Sequence, residues 1–204
     1  TVGPVATPPR PAATLAPSDL GGAKAIGGPE GRDEDAAMAR GTRIHLLLEH
    51  LPGVPAAERA ARAADLLAPA PCPPDELAEV TQLLDDPALA ALFAPGALVE
   101  VALTGPLPAL DGRRLHGTVD RLLVAPGRVL AVDFKTNVTV PERVADVPEG
   151  VLRQMGAYAA ALGTIYPDRR VDTAILWTRP GRLMPVPDDL AAAALARAAT
   201  TGAG

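Results

Sequence analysis

The chain has 204 residues, enough for one domain and a tail. Its 24 acidic against 19 basic residues give a net charge of −5, which excludes a protein that holds DNA by bulk positive charge. A single cysteine, Cys72, excludes a disulfide framework or a cysteine-built zinc or iron–sulfur centre supplied by this chain alone, and it fits a reducing, cytoplasmic setting. There is no run of about 18 apolar residues and no leader of signal-peptide type, so no membrane partner is expected. The first residue is Thr1 rather than Met, and we expect a piece of a longer polypeptide.

Hydrophobic residues make up 48% of the chain but aromatics only 2%, so alanine, valine and leucine must fill the core. Lys24 and Lys135 are the only lysines among the 19 basic residues. Residues 1–100 carry 7 basic and 14 acidic side chains, and residues 101–204 carry 12 and 10, so a polyanion meets the second half more readily.

Residues 1–32 hold six prolines and six glycines without an apolar period and read as a flexible linker. The remainder, 33–204, reads as one domain with a helical section over 33–95 and an α/β core over 96–204. Asp33 to Leu51 has acidic residues at its start, an apolar stripe of Met38, Ile44, Leu47, Leu48 and Leu51, and a Pro52-Gly53 stop. Helices follow over Ala56–Leu67 and from Pro73-Pro74 to Leu84, with a short one after Pro87. The period then changes, and strands are expected over Leu98–Leu103, Leu115–Val124 and Val129–Lys135. A helix over Pro148–Ile165, strands over Val171–Thr178 and Leu183–Val186, and a closing helix over Asp188–Ala199 complete the order. Strands that first meander and then alternate with helices imply an α/β fold with a mixed sheet.

The turn Ala125-Pro126-Gly127-Arg128 sets a register. Val124 pairs with Val129 and Leu122 with Ala131, which places Asp120 opposite Asp133, with Cβ atoms about 4.5–5.5 Å apart. Lys135 shares the Asp133 face and Thr118 stands across from it. Facing carboxylates repel unless a cation lies between them, and hard divalent ions take carboxylate and carbonyl oxygens. A lysine beside them suits metal-assisted phosphodiester hydrolysis. An acidic pair on a hairpin also has a structural explanation, since Asp120 can pair with Arg121 or Arg114.

Further segments narrow the choice. They are Gly41-Thr42-Arg43-Ile44-His45, Gly117-Thr118-Val119-Asp120-Arg121, Asp133-Phe134-Lys135-Thr136, and Gln154 with Tyr158 at helical spacing. In this order they resemble the RecB-like branch of the PD-(D/E)xK nuclease superfamily, whose pattern is G-x-x-x-H, G-x-x-D-R, D-h-K-T and Q-x-x-x-Y. The stretches Val147-Pro148-Glu149, Arg153-Gln154-Met155 and Leu176-Trp177-Thr178 look more specifically like the C-terminal nuclease domain of alphaproteobacterial AddA-type helicase–nucleases. The likeness spans about residues 36–190.

The resemblance implies a restriction-endonuclease-like mixed sheet flanked by helices. It implies Asp120, Asp133 and Lys135 as catalytic residues, with His45, Asp120, Asp133 and the Phe134 carbonyl around the metal. Gln154 and Tyr158 would line the site and contact DNA, and Glu100 is carried over as a site-lining glutamate. The implied cofactor is Mg2+, with Mn2+ tolerated because of the histidine. An iron–sulfur cluster is not expected, and ATP is not bound here because no G-x-x-x-x-G-K segment occurs. The implied activity is exonuclease-type degradation of single-stranded DNA unwound by an upstream helicase domain of the same polypeptide during double-strand-break repair, with an AddB-like partner subunit. Two other readings stay open: a non-catalytic domain that guides DNA or docks a subunit, and a free-standing RecB-like exonuclease.

Overall fold

The computed structural model describes residues 14–20 and 31–201. The segment 14–20 differs from the linker expectation. Thr14–Leu15 form a short strand, β1, followed by a 3-10 turn over Pro17–Leu20, and the Leu20 side chain is buried in the core. Pro17 sits where a side chain on Gly117 would be, so only a glycine lets this segment lie so close to the next sheet strand. Residues 31–32 of the expected linker begin the first helix, and the rest, 1–13 and 21–30, lies outside the described residues.

Three helices come next: α1 (Gly31–His50), α2 (Arg59–Leu67, preceded by a 3-10 turn) and α3 (Pro74–Asp85, with proline in its first turn). The expected fourth helix is only a 3-10 turn over Ala90–Leu92. Strands β2 (Leu98–Leu107), β3 (Arg113–Ala125) and β4 (Arg128–Lys135) form the meander, and β2 runs four residues beyond its predicted end at Leu103. Helix α4 (Glu149–Ile165), strands β5 (Arg170–Trp177) and β6 (Arg182–Val186), and helix α5 (Asp188–Thr201) follow.

The sheet is mixed. Its path is β1-β3-β4-β5-β6, with β2 on the other edge of β3. β2, β3 and β4 are antiparallel neighbours, whereas β4 and β5 are parallel. Parallel strands need a long crossover, and α4 supplies it. The β3–β4 register is the expected one, with Val124 opposite Val129 and Leu122 opposite Ala131. The ladder ends at Arg121–Val132, one pair short of Asp120 and Asp133. Thr118 is paired with Ala102 of β2 rather than with Lys135.

Alternation along β4 and β5 divides two cores. Val129, Ala131, Ile175 and Trp177 face α4 and α5. Leu130, Val132, Phe134, Ala174 and Leu176 face the α1–α3 helices, meeting Ile44, Leu47, Leu48 and Leu51 of the α1 stripe. The sheet is therefore covered on both faces, the three-layer arrangement expected of a restriction-endonuclease-like fold. Asp133 and Lys135 continue the β4 face that looks toward α4, at the strand's carboxyl end.

Candidate active site

Helix α1 is pinned by its apolar stripe, and His45 follows Ile44 at the border of that stripe. Gly41, one turn earlier, lets the helix approach the segment after Lys135, because a β-carbon there would lie 3.3 Å from Thr136 Oγ1. Arg40 donates a 3.0 Å hydrogen bond to the Thr136 carbonyl. The G-x-x-x-H spacing thus has a packing reason for its glycine and leaves the histidine facing the sheet.

His45 Nδ1 lies 3.3 Å from Asp120 Oδ1. The other carboxylate oxygen, Oδ2, accepts the Phe134 backbone N–H at 2.5 Å. This bond explains the early end of the ladder, because the Asp120 side chain takes over a main-chain donor that β3 no longer reaches. Asp120 is buried, and a buried carboxylate needs such donors. Burial pulls the His45 pKa down, but the hydrogen bond and charge of Asp120 outweigh it, with Asp133 adding, and the imidazole is held above its ordinary value.

Across the β2–β3 ladder, Val99 pairs with Arg121 and Val101 with Val119, leaving Glu100 at the position between, opposite Asp120. Glu100 has φ +48°, a left-handed conformation that a residue with a Cβ adopts at a cost of about 1–2 kcal/mol. Desolvation and the Asp120 charge both raise its carboxyl pKa. Donor atoms of His45, Glu100 and Asp120 lie within 4.8 Å of one another. One imidazole and two mutually repelling carboxylates, one of them on strained backbone, fit a divalent cation that takes oxygen and nitrogen ligands. Glu100, expected only as a lining residue, is therefore grouped with the candidate ligands. The signal that could have marked it is its place opposite Asp120 in the strand register, which the hairpin analysis did not extend to β2.

Asp133 lies on the α4 side. Gln154 Nε2 donates to Asp133 Oδ1 at 2.6 Å, and Lys135 Nζ lies 2.6 Å from Asp133 Oδ2 as an ion pair. Lys135 also donates to Gln154 Oε1 at 3.2 Å. The same Gln154 amide donates to Tyr158 Oη at 2.9 Å, and Tyr158 in turn donates to the Thr118 carbonyl at 2.6 Å. The Q-x-x-x-Y spacing thus places two side chains one helical turn apart on α4 so that they brace the carboxylate and the lysine. Burial is the main force raising the Asp133 pKa, opposed by the Lys135 charge. The structure brings all eight predicted positions to one end of the sheet, in two linked groups. His45, Glu100 and Asp120 form one, and Asp133, Lys135, Gln154 and Tyr158 form the other. Phe134 joins them through its N–H to Asp120.

Trp177 is fully buried in the core. Cys72 lies partly buried between α2 and α3, and burial pushes its thiol pKa up, which leaves it less reactive. Among the described residues, no helix is long and apolar enough to cross a membrane.

Comparison with known proteins bears on this geometry in three ways. Among solved structures, one titled "Crystal structure of SSO0001" aligns at 12% identity and a TM-score of 0.37, over 95% of this chain and 78% of that one, and no argument is drawn from it. A search of curated proteins found no match. The family profile of the PD-(D/E)XK nuclease superfamily matches residues 20–183, a span that contains every residue of both groups. With a lysine two residues after a buried aspartate at a strand end, a second aspartate on the neighbouring strand and a cation-sized cluster of donors beside them, the chain belongs to the PD-(D/E)XK nuclease superfamily.

Proposed function

We propose that this chain is the nuclease domain of a helicase–nuclease, hydrolysing single-stranded DNA that an upstream motor unwinds during double-strand-break repair. Membership of the superfamily supplies the coarse chemistry, divalent-metal-dependent phosphodiester hydrolysis. The observation that carries the catalytic reading is Lys135, held on Asp133 and Gln154 beside the His45–Glu100–Asp120 cluster. A degenerate member of the fold that only docks DNA has no need of a half-buried lysine paired with a buried carboxylate at that place. The finer reading rests on the likeness to AddA-type domains around Arg153-Gln154-Met155 and Leu176-Trp177-Thr178.

In this reading His45, Glu100 and Asp120 would hold Mg2+ or Mn2+, and Asp133 and the Phe134 carbonyl would add oxygen donors. A bound divalent ion supplies Lewis-acid polarisation of the phosphate and a more acidic water. In this reading the Lys135 ammonium would stabilise the negative charge that builds on the phosphate oxygens. Gln154 holds that ammonium in place, and Tyr158 holds Gln154. An AddB-like subunit is the expected partner, and the motor delivers the strand, so the domain needs little DNA affinity of its own.

The test is cleavage of end-labelled single-stranded DNA with Mg2+, with Mn2+ and with chelator, alongside Asp133→Ala and Lys135→Ala. Metal-dependent cleavage lost in both variants supports the reading. Absence of cleavage together with absence of metal binding by calorimetry refutes it and favours a docking role. Preference for duplex ends over single strands would refute the substrate assignment while leaving the nuclease intact.

A further inference from the structure

Only two phenylalanines occur in the chain, and both lie in one run of contacts beneath the site. The guanidinium carbon of Arg121 stands 5.5 Å over the Phe93 ring. Phe93 lies 6.3 Å from Phe134 between ring centroids, tilted by 47°. Phe134 meets the His45 imidazole at 5.7 Å and 62°, an edge-to-face contact. Arg121 is itself buried, 1% exposed, and donates a hydrogen bond to the Leu48 carbonyl, three residues after His45 on α1. Its Nε finds no hydrogen-bond partner, and the ring and the carbonyl act on the guanidinium together with the charges of Glu100, Asp120 and Glu49.

The contacts close on themselves. Asp120 accepts from the Phe134 N–H and faces His45 Nδ1, while the Phe134 ring lies against the same imidazole. An imidazole held through one ring nitrogen can rotate about that contact, but an aromatic edge pressed on it selects a plane. Phe134 packs among the aliphatic side chains under α1, and Phe93 is the aromatic ring it meets there. A leucine at position 93 would fill much of the volume. It would not offer a face to Arg121 or to Phe134.

We propose that Phe93 is a positioning residue for His45. In contact with both Arg121 and Phe134, its ring holds Phe134 against the imidazole and so fixes the plane in which His45 faces Asp120. The proposal rests on the reading of His45 as a metal-holding residue. It extends the site to the 3-10 turn that closes the helical section, a segment that carries none of the four motifs.

The experiment uses the whole chain as wild type, Phe93→Leu, Phe93→Met and Phe93→Tyr, each with and without His45→Ala. Two quantities are measured: the ring 15N signals of the three histidines in metal-free protein, and Mn2+ affinity by calorimetry. Phe93→Leu and Phe93→Met are expected to move the His45 ring signals while leaving those of His50 and His116 in place. They should weaken Mn2+ binding about threefold to tenfold. Phe93→Tyr should restore both quantities, and none of these changes should matter once His45 is alanine. Unmoved His45 signals, or an equal loss of Mn2+ affinity in both backgrounds, would overturn the proposal. If His45→Ala binds Mn2+ as tightly as wild type, the metal reading of His45 fails, and the ring spectrum still decides whether Phe93 positions it.

Discussion

Replacing Gln154 by leucine removes the carboxamide that ties Asp133, Lys135 and Tyr158 together. Gln154 is 8% exposed and makes three hydrogen bonds, to Asp133, Lys135 and Tyr158. Lys135 and Asp133 keep each other at 2.6 Å, and Tyr158 keeps the Thr118 carbonyl at 2.6 Å. The group left without a donor is Asp133 Oδ1, on a carboxylate only 4% exposed. Stranding a buried charged acceptor costs about 2–3 kcal/mol. The leucine's extra apolar burial offsets about 1 kcal/mol of that. A net loss of about 1–2 kcal/mol lowers Tm by about 2–8 °C in a domain of this size. Lys135 also loses an anchor, and a misplaced ammonium lowers kcat by about 10–100-fold. Scanning calorimetry and steady-state cleavage with saturating Mn2+ read the two effects. Tyr158→Phe is the control and should do less to both, because Gln154 then still serves Asp133 and Lys135. A Gln154→Leu protein with wild-type Tm and wild-type kcat would refute the bracing argument.

Three other outcomes are expected. Gly156→Val should destabilise by about 1–3 kcal/mol in urea unfolding, because a β-carbon at 156 would run into the Ala191 carbonyl and come within 3.0 Å of Leu195 Cβ, and backbone cannot swing aside. Burial, with the Asp133 charge adding, pushes the Tyr158 phenol well above the ordinary value of about 10. The folded state therefore keeps that proton where the unfolded state releases it, so the contribution is intact below about pH 10 and declines as the pH rises past it. Ultraviolet titration should show Tyr158 ionising only as the protein unfolds, and Tyr158→Phe should flatten the alkaline fall in stability. Finally, the isolated chain should bind single-stranded DNA weakly in chelator even at low salt, given its net charge of −5 and an acidic cluster at the site, and more tightly with a divalent ion. Tight binding without metal would show that the charge argument is misplaced.

The element order and the class of sheet were legible in the residues because each rests on short-range physics. The α1 stripe, the proline start of α3, the turn at 125–128 and the alternation along β4 are local patterns, and the structure follows them to within a few residues, except that Met38, expected in the stripe, is exposed because the first turns of α1 extend past the sheet-facing core. The hairpin register held from Val124–Val129 to Leu122–Ala131 for the same reason, since a turn dictates the pairs next to it. The D-x-K spacing placed Asp133 and Lys135 on one face by the two-residue period of a strand.

Other features depend on residues far apart in the chain. Whether Asp120 meets Asp133 directly or reaches past it to the Phe134 N–H depends on where β3 and β4 diverge, which only the packed sheet decides. Glu100 enters the donor cluster because the β2 register sets it opposite Asp120 in a left-handed backbone conformation, and no pattern in residues 98–103 specifies that. Residues 14–20 read as linker by composition, yet β1 finds the free part of the β3 edge and Leu20 finds the core. Phe93 stands out in no sequence pattern and gains its place only when the helical section folds over the sheet and brings its ring to Arg121 and to Phe134. Periodicity and turn chemistry thus determined what each segment is. Long-range packing decided which donors meet, because burial leaves each polar group to find its partner in three dimensions rather than along the chain.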